Sequence, residues 1–328
     1  MLNSDYFTPD TTGKGEPSMS AIVKVGYLGP TLASGANDQT TFGYQAAVQH
    51  FPNNSVEYKN FPTHPAICEA VALEEIDYGV VAVENTIAGF VSDTLSGIRD
   101  TALLCHGVEI CGEAVVPVEL FLLRRELVDV LPKKIISKAE ALKQCSIVLN
   151  GYKKQSVVTE ERSSTAGAAC EAAENNELAV VGSRLAEEQY KLVRMLPKSI
   201  VDVSPAFTRF WIIGKHRGKR TGNDKTSVLI SLRQQQEGAL FRALGAFEAD
   251  SPADGEFHLK ADGQRPNLLC IHTIPIGAKH RQWEYHFLIE FSGHVDDPRI
   301  KDGLKAFAES GLSEAKHAMI LGSYPAGT

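Results

Sequence analysis

No apolar run in this 328-residue chain approaches the roughly 20 residues a membrane-crossing helix needs, so a helical span is not expected. No block of basic residues stands out and the formal net charge is −7, which argues against a general nucleic-acid binder. The six cysteines (Cys68, Cys105, Cys111, Cys145, Cys170 and Cys270) form no Cys-x-x-Cys pair. Most lie inside apolar segments and read as reduced core thiols rather than as a zinc site or a disulfide framework. The ten histidines are scattered without metal-ligand spacing, so no metal and no cofactor is expected. A phosphate loop, a dinucleotide fingerprint, a hydrolase triad and internal repeats are all missing. The first 20 residues lack the basic-then-apolar layout of a secretory signal and read as a disordered polar tail, with Met19 as a second candidate start. A cytoplasmic location is the expectation.

What is present is a globular composition, 43% hydrophobic and 22% charged. The length exceeds one ordinary core, so two or three domains are expected. A strand at 22–29 ends in a Gly-Pro turn, and Asp38 is placed to cap a helix running to about residue 51. A short strand at 56–58 follows, then a helix from Thr63 with Pro65 in its first turn, ending near Glu75. The nearly continuous apolar run 78–83 suits a strand buried on both faces and ends at Glu84-Asn85-Thr86. This alternation predicts a doubly wound α/β lobe with ligands at the carboxyl ends of its strands, which marks the 29–43 loop and residues 84–89.

Residues 108–123 read as a crossover strand into a second lobe. That lobe repeats the theme with a strand at 134–137, a helix over 139–149, a strand near Val157, a helix from Ser164 to about Asn175 and a strand at 178–181. Residues 206–214 return to the first lobe, so two crossings define a cleft able to close on a small anion. The polar stretch 216–224 reads as a linker. Beyond it come a strand at 227–232, a helix at 238–248, a polar loop at 250–265, strands at 268–274 and 284–291, a helix at 298–310 and a strand at 318–321. That order, βαββαβ, is the ferredoxin-like split unit.

The chemistry gathers at strand-to-helix turns. Thr41-Phe42, Glu84-Asn85-Thr86, Ser137-Lys138 and Ser163-Ser164-Thr165-Ala166 all fall there, and a helix start favours an anion. Thr208 and Arg209 open an apolar strand; a hydroxyl there can donate to a leaving oxygen, and a guanidinium can grip a carboxylate with two hydrogen bonds. Each also has a plainer reading. Ser164 serves equally as a helix cap, and Thr208-Arg209 alone is also a strand start with a surface charge. Together they describe a metal-free, donor-rich pocket suited to a small dicarboxylate.

The chain resembles prephenate dehydratases that carry a C-terminal ACT regulatory domain. The resemblance covers about residues 22–325. It rests on Thr41-Phe42-Gly43-Tyr44-Gln45-Ala46-Ala47, the run from Asp77 through Glu84-Asn85-Thr86 to Gly89, Gly112-Glu113, Ser137 through Gln144-Cys145, Ser164-Thr165-Ala166, Val181-Gly182-Ser183 and Thr208-Arg209-Phe210. In the last third, Gly238-Ala239-Leu240, Asn267-Leu268, Glu284-Tyr285, Gly293-His294 and 321–325 also fit. The family pattern is altered at several places. Its Pro-x-Glu-Asn-Ser is Ala82-Val83-Glu84-Asn85-Thr86, its Ser after Thr-Phe is Gly43, and its Ser-His-Pro-Gln is Ser137-Lys138-Ala139-Glu140. The Asn before Thr-Arg-Phe is Ala206, and the effector motif Glu-Ser-Arg-Pro is His272-Thr273-Ile274-Pro275. The loop after Gly29 is longer than the family's, and 250–265 looks inserted.

The resemblance implies a two-lobe periplasmic-binding-protein-like catalytic domain at 21–215, with its second lobe at about 105–200. A tail at 1–20, a linker at 216–225 and a ferredoxin-like ACT domain at 226–325 complete the expected organisation. It implies a lyase that turns prephenate into phenylpyruvate. Thr208 would be the acid, with Glu84 and Asn85 orienting the leaving hydroxyl or the ring. Arg209, Phe210, Ser164, Thr165, Thr86, Thr41, Gln144 and Ser137 would contact substrate. An effector site, degenerate here, would involve Gly238, Ala239, Leu240, His272 and Thr273, with an amino acid as ligand and weak or absent phenylalanine inhibition. A homodimer or homotetramer is implied. Three alternatives stay open: an analogue such as arogenate or an amino-substituted prephenate, a prephenate decarboxylase that does not aromatise the ring, and a non-catalytic small-molecule sensor.

Overall fold

The computed structural model describes residues 22–30, 37–52, 55–104, 107–232, 237–248, 266–276, 284–310 and 312–327. The expected tail, the 250–265 loop and Cys105 lie outside them; Cys68, Cys111, Cys145, Cys170 and Cys270 are free thiols.

Three parallel strands start the first lobe: β1 (Val23–Leu28) lies between β2 (Val56–Phe61) and β3 (Tyr78–Asn85). Two capped helices connect them. Thr41 opens α1 (Phe42–His50), its hydroxyl accepting from the Tyr44 N–H, and Thr63 opens α2 (His64–Ala72) by accepting from Ala66. Such caps contribute about 1 kcal/mol each and fix where the helices begin. The first differs from expectation: Asp38 instead holds the Thr40 N–H and hydroxyl in a tight turn, so the helix starts at Phe42. A two-residue strand β4 (Gly89–Phe90) folds back on β3, and α3 (Ser92–Leu104) leads to β5 (Glu109–Pro117).

The expected crossover strand is two strands, because the chain turns after Pro117 to enter the second lobe as β6 (Phe121–Arg124). There follow β7 (Lys134–Ser137), α4 (Ala139–Gln144), α5 (Ser146–Lys153), β8 (Val158–Glu161), α6 (Thr165–Glu174), β9 (Leu178–Gly182), α7 (Arg184–Tyr190) and β10 (Val193–Arg194). Their sheet runs β10-β6-β9-β7-β8. The helix expected over 139–149 is broken at Cys145, which ends α4 and precedes α5. The chain then returns as β11 (Phe207–Gly214), antiparallel to both β5 and β3. The two crossings touch, with Val118 N–H donating to the Ala206 carbonyl at 2.8 Å.

The C-terminal part reads β12 (Asp224–Leu232), α8 (Ala239–Glu248), β13 (Asn267–Pro275), β14 (Tyr285–Ser292), α9 (Pro298–Glu309) and β15 (Ser313–Pro325). Its strands lie in the order β13-β14-β12-β15, the ferredoxin-like arrangement expected from the sequence. Through β15 this sheet joins the first lobe: β15 runs parallel to β5 at Gly322 and Ile110, giving a single ten-stranded sheet. A Cβ on Gly322 would lie 2.2 Å from the Ile110 carbonyl oxygen, so the seam admits only glycine there. One hydrophobic cluster crosses the seam, packing Val81 and Trp211 of the first lobe with Leu229, Leu288 and Tyr324. The polar 216–224 stretch is fastened as well. Arg217 pairs with Glu109 at 3.2 Å, and Thr221 and Gly222 donate their N–H groups to Asp224. Among the described residues no helix is long and apolar enough to cross a membrane.

Candidate active site

A cleft of about 640 Å³ separates the lobes. Its walls are built mainly from helix beginnings. Thr41 to Gly43 (α1), Thr63 and His64 (α2), Asp93 (α3) and Ser164 to Ala166 (α6) all line it, as do Lys138 before α4 and Ser183 before α7. The first N–H groups of a helix have no partner within it, and the macrodipole puts partial positive charge there. Each such end favours an anion by about 0.3–1 kcal/mol. Lys138 is the cation among the lining residues and pairs with Glu140 at 3.5 Å, while Asp38 and Asp93 line the cleft as well, so a small anion would be held there by helix N–H groups rather than by a guanidinium. An apolar floor of Val118, Leu120 and Phe210 completes it.

Thr208, 8% exposed, faces this cleft from β11. Its oxygen accepts a hydrogen bond from Asn85 Nδ2 at 2.9 Å. The direction of that bond is fixed by the turn after β3. Asn85 Oδ1 accepts from the N–H groups of Ile87 (2.9 Å) and Ala88 (3.0 Å), so its NH2 side must face Thr208. Thr208 therefore spends a lone pair on Asn85, and its own proton is not used in that bond. β3 and β11 hold the two residues directly opposite each other.

The other expected site residues divide. Asn85, Thr208, Phe210, Ser164, Thr165, Thr41 and Gln144 line the cleft. Thr41 and Ser164 act there as helix caps: Ser164 accepts from Gly167 at 2.9 Å, and Thr41 also donates to the Leu28 carbonyl at 3.0 Å. Ser137 is fully buried and donates to the Val181 carbonyl at 2.7 Å, tying β7 to β9 outside the cleft lining. Thr86 is exposed and accepts from the Phe207 N–H at 2.9 Å, which closes the β3–β11 end.

Arg209 and Glu84 depart furthest from expectation. Neither lines the cleft. Residues alternate faces along a strand, so Arg209 points opposite to Thr208. It meets Glu84 at 3.0 Å, Glu113 at 3.1 Å and Glu290 of β14 at 2.9 Å. A sequence shows two neighbours on a strand but not which face is the cleft. Ala206 is likewise buried at the crossing and not in the lining, so the lost asparagine does not widen the cleft. Of the expected effector residues, Gly238 takes φ +71° just before α8 opens at Ala239, with Leu240 following, and Thr273 pairs with Phe287. His272 stacks on Phe90 at 4.4 Å between ring centroids.

Three cleft residues are not among the expected site residues. Asp38 is fully buried; Oδ1 takes both bonds from Thr40, while Oδ2 has no hydrogen-bond partner. Burial raises its pKa above the ordinary carboxylate value. His64, 6% exposed, has an unpartnered Nδ1, and burial lowers its pKa to about 4, Asp93 opposing the shift and Lys138 adding to it. Ser183 donates to the Thr40 carbonyl at 2.8 Å, a bond that joins the two lobes across the cleft. A serine after an apolar strand was the available signal for it. Nothing in the sequence marks the burial of Asp38 and His64.

A family model described as prephenate dehydratase matches residues 25–218. The bifunctional chorismate mutase/prephenate dehydratase of Aquifex aeolicus is 33% identical over 308 residues, covering 94% of this chain and 75% of that protein. The prephenate dehydratase of Bacillus subtilis is 28% identical over 315 residues, 92% of this chain and 98% of its own. The crystal structure of prephenate dehydratase from Arthrobacter aurescens in complex with L-Phe superposes with a TM-score of 0.71 at 26% identity, covering 93% and 90% of the two chains.

His64 generates a prediction about acid stability. Its folded pKa of about 4 lies below the ordinary value of 6.5, so between these pH values the unfolded chain binds the extra proton. Its contribution to stability is present above about pH 6.5 and is lost as the pH falls toward 4. Thermal melts of His64→Gln should show a shallower loss of melting temperature across that window than the wild type; parallel curves would contradict a buried neutral imidazole.

Proposed function

The chain belongs to the prephenate dehydratase family, and from that premise we propose how this cleft performs the reaction. Prephenate loses its ring carboxylate as carbon dioxide and its C4 hydroxyl as water, giving phenylpyruvate. The electron pair of the breaking ring–carboxylate bond enters the ring, the C–O bond opens at the far side, and one proton is consumed as the hydroxyl leaves as water. Aromatisation drives the step, so the protein has to hold the dianion and supply a donor at the leaving oxygen. Thr208 is that donor. The observation that carries the assignment is the Asn85 hydrogen bond, which leaves the threonine proton unspent.

The carboxylates lie against the helix beginnings at Ser164-Thr165 and Thr41-Phe42, with Lys138 as counter-charge. The serine that the family places at Gly43 would fit: a Cβ there lies 3.4 Å from Leu28, an ordinary contact. Its absence leaves room for a larger or differently substituted ligand. Asp38 favours a second reading, since a carboxylate lining the cleft suits an ammonium group such as that of arogenate better than a second anion. Mass spectrometry of products from both compounds separates the two.

Residues 226–325 act in this reading as a regulatory domain paired with a second copy in a homodimer or homotetramer. The edge strand β13, with Leu268, Leu269 and Ile271 exposed, supports the pairing. Its ligand is a small amino acid, and His272 packed on Phe90 occupies the place of the family's effector motif.

Thr208→Ala should lower kcat on prephenate by about 10²–10⁴-fold, the usual contribution of a positioned acid, while Thr208→Ser keeps most of it. Ultraviolet absorbance of phenylpyruvate follows both; full activity in the alanine variant would remove Thr208 from the role. Phenylalanine titrated into the same assay should inhibit weakly or not at all, and strong inhibition would show that His272 and Thr273 still serve an effector site.

A further inference from the structure

Thr208 and Arg209 are consecutive on β11, and their cross-strand partners on β3 are consecutive as well: Asn85 opposite Thr208, Glu84 opposite Arg209. One two-residue step of two paired strands thus carries the donor pair on its cleft face and an ion cluster on the other. In that cluster Arg209 donates through Nη1 and Nη2 to the two oxygens of Glu290, at 3.0 and 2.9 Å. Nη1 also reaches Glu113 of β5 at 3.1 Å, and Nε reaches Glu84 at 3.1 Å. The hydroxyls of Ser227 (3.1 Å) and Tyr324 (3.0 Å) donate to Glu290 Oε1. Lys225 Nζ donates to Glu113 at 2.8 Å, and the Gly327 N–H donates to it at 3.1 Å. The side chains of Glu113 and Glu290 are 1% and 2% exposed, and Arg209 13%.

The cluster spans β3, β5, β11, β12, β14 and β15, so it is the polar counterpart of the apolar seam between the first lobe and the C-terminal unit. The register of β11 against β3 shifts between Arg209 and Phe210, one residue beyond the donor. A bulge is locally less constrained by the ladder, and here a bidentate, charge-assisted contact to Glu290 holds its start.

We infer that Glu290 is a positioning residue for the reaction: by gripping Arg209 it fixes the β11 step on which Thr208 stands, so the donor is aimed only while the C-terminal unit is seated. The inference rests on Thr208 being the donor. Loss of the Glu290 charge leaves Arg209 buried with two of three carboxylates, and the guanidinium moves toward Glu84 and Glu113, carrying the bulge and its neighbour with it.

The test compares Glu290→Gln with Asp297→Ala, which removes the side-chain cap of α9 in the same unit without touching the cluster. Hydrogen exchange is read in peptides covering 84–90 and 205–212. In Glu290→Gln these segments exchange about tenfold faster than in the wild type, while in Asp297→Ala they keep the wild-type rate. On prephenate, kcat of Glu290→Gln falls about tenfold with KM within about twofold, the pattern of an interaction lost in the transition state alone. Tyr324→Phe removes a single donor from Glu290 and gives the same pattern at smaller amplitude, which serves should the glutamine variant fail to fold. Unchanged exchange, a rise in KM alone, or equal effects from Asp297→Ala would overturn the inference. Absence of turnover in the wild type would instead overturn the proposed function, and the exchange rates alone would then decide the coupling.

Discussion

The pairing of two dipeptides, Asn85 with Thr208 and Glu84 with Arg209, is the constraint on which the structure depends. Strand alternation makes it two-faced. On the cleft face, the turn at residues 85–88 fixes the asparagine amide, and the amide fixes which way the threonine proton points. On the other face, the arginine collects three carboxylates from three strands. Burying that many charges is tolerable only with complete pairing, because an unpaired ion in such a place costs several kcal/mol. The cluster therefore forces β5, β11 and β14 into one arrangement, and Gly322 lets the backbones approach closely enough to allow it.

The division of labour on the cleft side follows from this. With its arginine committed elsewhere, the cleft offers an anion the helix beginnings of both lobes, and its one lining lysine is paired with Glu140. This field is spread over many N–H groups and is strongest when the lobes are together, as the Ser183–Thr40 bond holds them. The apolar floor of Val118, Leu120 and Phe210 lowers the local polarizability of the surroundings, and each of these weak contributions is stronger there than in bulk water. Asp38 and His64 sit in it without full partners and with pKa values displaced by burial, a combination typical of sites that act on ligands rather than of plain cores.

Much of this was legible from the chain alone. The buried run at 78–83, the Thr63 and Ser164 caps and the βαββαβ order each reflect local rules, and each appears where those rules place it. Features set by distant partners were not legible. The break at Cys145, the helices α3 and α7, and the turn after Pro117 depend on packing between elements. Arg209 shows the limit most clearly. Its type suited a carboxylate and its neighbour faces the cleft, yet its own partner is on a strand 81 residues further along the chain. The sequence pattern carried Thr208 as the proposed donor, and the fold carried the direction of its hydrogen bond with Asn85.

Direction is the central claim, and Asn85→Asp tests it most directly. The substitution is isosteric and keeps both acceptor bonds to Ile87 and Ala88, but a carboxylate oxygen facing Thr208 can only accept. The threonine proton would then turn away from the ligand. Turnover of prephenate at neutral pH should fall about as far as in Thr208→Ala, roughly 10²-fold or more, with the fold intact by circular dichroism. An Asn85→Asp enzyme with wild-type kcat would contradict the account.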